Sequence, residues 1–162
     1  MRRIVGGLVL TALLVAVATG CGGGGGGGGT TSGSAPLSKI AYEQQMQTIE
    51  KNLSNTVDGL VSATSSPAAA AKALTKVQQV LRSGAKQIAA MNPPADIASD
   101  QKQLASAANE FADEIGPVIA KVKGGNLAAI DSLLTLKGYK DLDAAINAIT
   151  AKAYKLKAPT AG

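Results

Sequence analysis

The stretch from Ala95 to Lys123, ADIASDQKQLASAANEFADEIGPVIAKVK, decides the fold. Ile97, Gln101, Leu104, Ala108, Phe111, Ile115, Val118 and Val122 recur at steps of four and three, the spacing that gathers side chains on one face of an α-helix. Pro117 predicts a kink late in this helix, because it removes a backbone donor. Gly124, Gly125 and Asn126 end it. Gln101 interrupts the apolar stripe, and two readings stand: a buried hydrogen bond that fixes helix register, or a place at the edge of the seam.

Upstream, Asn92-Pro93-Pro94 breaks the chain, since the residue before each proline is pushed out of the α region. The helix before that break opens at Thr64-Ser65-Ser66-Pro67, where serines suit the cap and Pro67 the first turn. Its stripe is Leu74, Val77, Leu81, Gly84, Ile88 and Met91. Glycine costs about 1 kcal/mol of helix propensity relative to alanine, so Gly84 predicts close approach of a neighbouring helix. A first helix from Ser38 to Ala63 carries Tyr42, Met46, Ile49, Leu53, Val57, Leu60 and Val61 on one face, with Ser38 as N-cap. Downstream, a short helix from Asn126 to Leu136, a bend at Lys137-Gly138 and a helix from Tyr139 to Lys157 are expected. The last of these is striped by Tyr139, Leu142, Ile146, Ile149, Ala153 and Leu156. Short links between four such arms predict an all-α fold: an antiparallel up-down-up-down four-helix bundle over residues 36–158, with the last arm broken near Gly138. Its core should be rich in small residues, and the folded-back arms predict a monomer.

Residues 1–20 have a different character. Arg2 and Arg3 precede an apolar run from Ile4 to Val17, then Ala18, Thr19 and Gly20, the layout of a secretory signal. The run falls short of the roughly 20 apolar residues that a membrane-crossing helix needs. Val17-Ala18-Thr19-Gly20-Cys21 resembles the lipobox of bacterial lipoproteins, with Ala18 where that family usually has leucine. The resemblance implies cleavage after Gly20 and acylation of Cys21, hence anchoring to the cell membrane or outer membrane on the side away from the cytoplasm. The residue-level alternative for a lone cysteine in a secreted chain is a free thiol or an intermolecular disulfide. Residues 21–35, with eight consecutive glycines from Gly22 to Gly29, read as a flexible tether. Such a chain reaches about 20 Å from its anchor. Residues 159–162 read as a disordered tail. The turn Asn92-Pro93-Pro94-Ala95-Asp96 is similar to one in small helical envelope lipoproteins of high-GC bacteria, a likeness that carries no activity with it.

Composition narrows the function. Removal of Arg2 and Arg3 from the 16 basic residues leaves 14 against 11 acids, a net charge of +3. With scattered lysines, one Phe, three Tyr and no Trp, binding to nucleic acid is not expected. The chain has no histidine, and an acylated Cys21 would leave no thiol, so catalysis is not expected and neither is a cofactor. Asp96 with Asp100, and Glu110 with Asp113 and Glu114, are the oxygen clusters available to a weakly held Ca²⁺ or Mg²⁺. Acids on an amphipathic helix usually form its solvated face, so no metal is expected.

Two functions remain. The first is a non-catalytic interaction module whose partner, beyond the membrane itself, is an envelope protein or wall polymer. Tyr42, Tyr139, Tyr154, Lys121, Lys123, Lys152 and Lys155 are its candidate contacts, although lysines near helix C-termini also simply complement the helix dipole. The second is a carrier of a small apolar or amphipathic ligand between helices.

Overall fold

The computed structural model describes residues 35–156. The signal segment, Gly20, Cys21, nearly all of the tether and the tail lie outside the described residues.

The described chain is all-α. Its helices are α1 (Lys39–Ser62), α2 (Pro67–Ala90), α3 (Ala98–Lys123) and α4 (Lys137–Ala151), with 3₁₀ segments at Ala95–Ile97 and Leu127–Thr135. Local chemistry sets the first two starts. The Ser38 hydroxyl accepts from the Ala41 amide at 3.2 Å, and the Ser66 hydroxyl accepts from the Ala69 amide at 3.2 Å with Pro67 in the first turn. Each satisfies one of the orphan donors at a helix N-terminus. α3 runs through Pro117 without ending there, and Pro117 is exposed, so the missing N–H falls on the solvent side.

Cross-helix pairs give the directions. Leu37 and Ile49 at the two levels of the first arm meet Asn92 and Gly84 respectively, so α1 and α2 are antiparallel. Gln78 reaches the Ala112 carbonyl and Arg82 reaches Asp113, while Gln101 reaches Ile88, so α2 and α3 are antiparallel too. Lys137 pairs with Glu110 and Lys152 with Asp100, which sets α4 antiparallel to α3. The close packing is between successive helices, α2 on α3 above all, and α1 rests chiefly on α2.

Gln101 resolves in favour of the buried hydrogen bond. It is 4% exposed, and its Nε2 donates to the carbonyls of Ile88 at 2.7 Å and Met91 at 3.1 Å, closing the C-terminal end of α2 from α3. Gln101→Met keeps the shape and removes both bonds. It is expected to lower unfolding free energy by about 2 kcal/mol in a urea titration, the cost of orphaning buried acceptors less the relief of the unpartnered Gln101 Oε1.

Two expectations for the last arm need correction. The break lies at Leu136, which takes an extended conformation (φ −63°, ψ 146°), and Gly138 sits buried in the first turn of α4. Gly138 is a close-approach residue there: a Cβ on it would stand 2.4 Å from the backbone nitrogen of Phe111. The expected short helix before the break is a 3₁₀ segment, Leu127–Thr135. α4 also stops at Ala151, short of Lys157, because Ala153 adopts a left-handed conformation (φ 64°) that a right-handed helix cannot continue through.

Candidate functional site

Four arms and the C-terminal segment leave an apolar slot of about 60 Å³ in the middle of the domain. Its cause is visible in the side chains. α2 presents Gly84 and Ala85 between Leu81 and Ile88, and α3 presents Ala108 one turn from Leu104, so small residues stand where larger ones would fill the space. Met46, Ile49 and Leu53 of α1 form one wall, and Leu142 and Ile146 of α4 the opposite one. Since α1 rests chiefly on α2, the seam between α1 and α4 stays open. An apolar void of this kind stays dry.

One edge is closed and another is not. On the α2 side, Ile49 Cγ2 comes within 3.1 Å of where a Gly84 Cβ would be, the close approach that Gly84 predicted. On the side of the C-terminal segment, Glu50 and Leu156 line both the slot and the surface groove outside it, and so form the mouth. Glu50 is the only charged side chain lining the slot, and it makes no hydrogen bond or ion pair among the described residues.

Near the mouth, a polar clasp holds the C-terminal segment in place. Tyr42 and Tyr154 meet edge to face, with ring centroids 5.8 Å apart and planes at 88°. The Tyr154 hydroxyl donates to Asp96 Oδ1 at 3.0 Å, and Lys39 Nζ lies 4.9 Å above the Tyr154 ring. Lys152 Nζ donates to the Asp96 carbonyl at 2.5 Å and to Asp100 Oδ2 at 2.7 Å. The Lys155 amide donates to Glu43 Oε1 at 3.0 Å.

These contacts relocate two of the candidate surface residues. Tyr42 and Tyr154 are 0% and 4% exposed, so neither is a surface contact in this fold. Tyr154 is turned inward by the left-handed Ala153 just before it. Tyr139 is half-buried, with its ring edge-on to Phe111 at 5.7 Å. Lys121 and Lys123 are exposed at the end of α3. Lys152 is engaged with Asp96 and Asp100, and Lys155 is exposed beside the mouth.

The carboxylates of Glu110, Asp113 and Glu114 tie helices together. Glu110 pairs with Lys137, Asp113 with Arg82, and Glu114 Oε2 accepts from the Gly138 amide at 2.8 Å. Among the described residues no three His, Cys, Asp or Glu side chains gather in a way that could hold a metal ion, and no helix is long and apolar enough to cross a membrane.

The Tyr42 hydroxyl is buried without a hydrogen-bond partner among the described residues, and its pKa is pushed up to about 12 by burial, then by Tyr154 and Asp100. An unfolded tyrosine releases its proton near 10.0. Above that pH the unfolded chain ionises first, so stability is lost as pH rises toward 12. Burial and the Asp96 hydrogen bond raise the Tyr154 pKa in the same sense. Tyr42→Phe is expected to leave stability at pH 7 unchanged or raise it by up to about 1 kcal/mol, since it removes an unpaired buried hydroxyl. It should also lessen the loss between pH 10 and 12 by about 2 kcal/mol, read from denaturation curves at each pH.

Glu50 and the clasp escaped the sequence reading, although Glu50 sits only one residue from Ile49 on the apolar stripe of α1. No family model, no curated protein and no solved structure matches the chain.

Proposed function

We propose that this protein is a lipid-anchored envelope protein whose four α-helices make an up-down-up-down bundle that binds a small apolar or amphipathic molecule at its central slot and the groove outside it. The slot is the observation that carries the reading: an apolar space between helices, with a mouth bearing one acid that is unpaired among the described residues. The antiparallel cross-helix pairs support the bundle. The lipobox-like Val17 to Cys21 supports the anchor, and the glycine tether supports a domain held within about 20 Å of the membrane surface. The absence of histidine and the engagement of most nearby carboxylates support binding without catalysis. This reading gains over a surface interaction module because Tyr42 and Tyr154, the large side chains that module relied on, are buried.

Titration of the mature protein with N-phenyl-1-naphthylamine, a small apolar fluorophore, tests the reading. Saturable enhancement is expected, and Ala108→Leu, which places a larger side chain in the slot, should weaken it at least about tenfold with little change in helicity. Absence of saturable binding by the parent would overturn the proposal.

A further inference from the structure

Resting on the slot reading, we infer that the C-terminal segment Lys152–Leu156 is a strap that gates the slot, and that it opens by continuing α4 as a helix. The volumes require a moving part. The slot is about 60 Å³, less than half of the roughly 150 Å³ of an apolar cavity that takes up benzene. The groove outside it is about 620 Å³. Among the described residues only Glu50 and Leu156 line both, so the way from one space to the other passes between them. Glu50 lies in the middle of α1, whereas Leu156 follows the end of α4. Leu156 is therefore the side of the passage that can move.

Sequence and backbone disagree over this segment. Leu142, Ile146, Ile149, Ala153 and Leu156 keep helical spacing as far as residue 156. Yet α4 stops at Ala151 and Ala153 takes φ 64°, a conformation with a steric penalty for any L-residue that carries a Cβ. The clasp offsets that penalty. Tyr154 bonded to Asp96, Lys152 to Asp96 and Asp100, and the Lys155 amide to Glu43 hold the strap against the Ala95–Ile97 segment, α3 and α1. With those ties released, Ala153 returns to right-handed values and α4 runs on through Leu156. Each helical residue rises about 1.5 Å along the axis, so the added turn carries Leu156 along α4 instead of across to Glu50. Slot and groove then join into one space.

Stopped-flow mixing of the mature protein with N-phenyl-1-naphthylamine tests the gate. The observed rate is expected to level off as the fluorophore concentration rises, at the rate of strap opening. Glu43→Ala with Lys152→Met removes two sets of ties and should raise that plateau at least about threefold. Release should quicken by at least as much, because Leu156 also lines the slot. Ala153→Gly should lower the plateau at least about threefold, since glycine takes positive φ without steric cost and is a poor helix former. A strap that opens by merely loosening would respond to Ala153→Gly in the opposite sense, and that result overturns the assignment. Backbone chemical shifts give a second readout that needs no ligand. The Cα resonances of Tyr154, Lys155 and Leu156 should move toward helical values in Glu43→Ala with Lys152→Met, and unmoved resonances overturn the helical opening. If the fluorophore binds at a rate that stays linear in its concentration and alike in all three proteins, the gate falls and the slot reading stands. If the fluorophore does not bind, both fall.

Discussion

Gly138→Ala is expected to destabilise the protein by about 3 kcal/mol or more, the upper range for forcing atoms into a packed site. Helix propensity alone predicts the opposite sign, a gain of about 1 kcal/mol for alanine over glycine inside a helix. The contact geometry decides between them. A Cβ at Gly138 would lie 2.4 Å from the Phe111 nitrogen, 2.5 Å from its Cα and 2.9 Å from its Cβ. These atoms belong mostly to the α3 backbone, so no flexible side chain can swing aside. α4 would have to lift away, stretching the 2.8 Å bond from the Gly138 amide to Glu114 and the Lys137 bridge to Glu110 and Asp141. The bridge is solvent-exposed and contributes little by itself; most of the loss comes from unpacking Leu142, Ile146 and Ile149. A drop in melting temperature on the order of 10 °C is expected. An unchanged or raised midpoint would mean that α4 does not approach α3 as described.

Tyr154→Ala should cost about 3–5 kcal/mol, the usual range for deleting a buried aromatic ring. It would remove the edge-to-face contact with Tyr42, the cation contact with Lys39 and the hydrogen bond to Asp96 together. Tyr154→Phe isolates the last of these and should cost about 1–3 kcal/mol. The pair of variants also reaches function. Leu156 forms part of the slot mouth two residues further on, so loosening Tyr154 should weaken fluorophore binding under conditions where the domain is still folded. A Tyr154→Ala protein with parental stability would place the ring on the surface, as residue type alone suggests.

The helices were legible because periodicity and caps are local. Ser38, Ser66 and Pro67 announce two helix starts within four residues of themselves, and the stripes of α2 and α3 name most of the buried residues. Tyr42 shows how two readings of one residue compete: its place on the α1 stripe pointed to burial, its residue type to a surface contact, and the stripe prevailed. What could not be read was non-local. Gly138 looked like a hinge because glycine loosens a chain, whereas its use depends on how near Phe111 comes from 27 positions away. The end of α4 turns on the backbone of Ala153, a residue type that seldom adopts positive φ, and with it went the inward path of Tyr154. The slot likewise arises from small residues on α2 and α3 facing larger side chains of α1 and α4, a property of their assembly.

The central claim is that the space between the helices holds a ligand. Native mass spectrometry of the mature protein, purified from membranes without added lipid and compared with Ala108→Leu, addresses it most directly. A discrete adduct with the mass of a small apolar or amphipathic molecule, present on the parent and missing from Ala108→Leu of similar stability, is the result this account predicts. A parent that carries no adduct and gains none when N-phenyl-1-naphthylamine is added would contradict it.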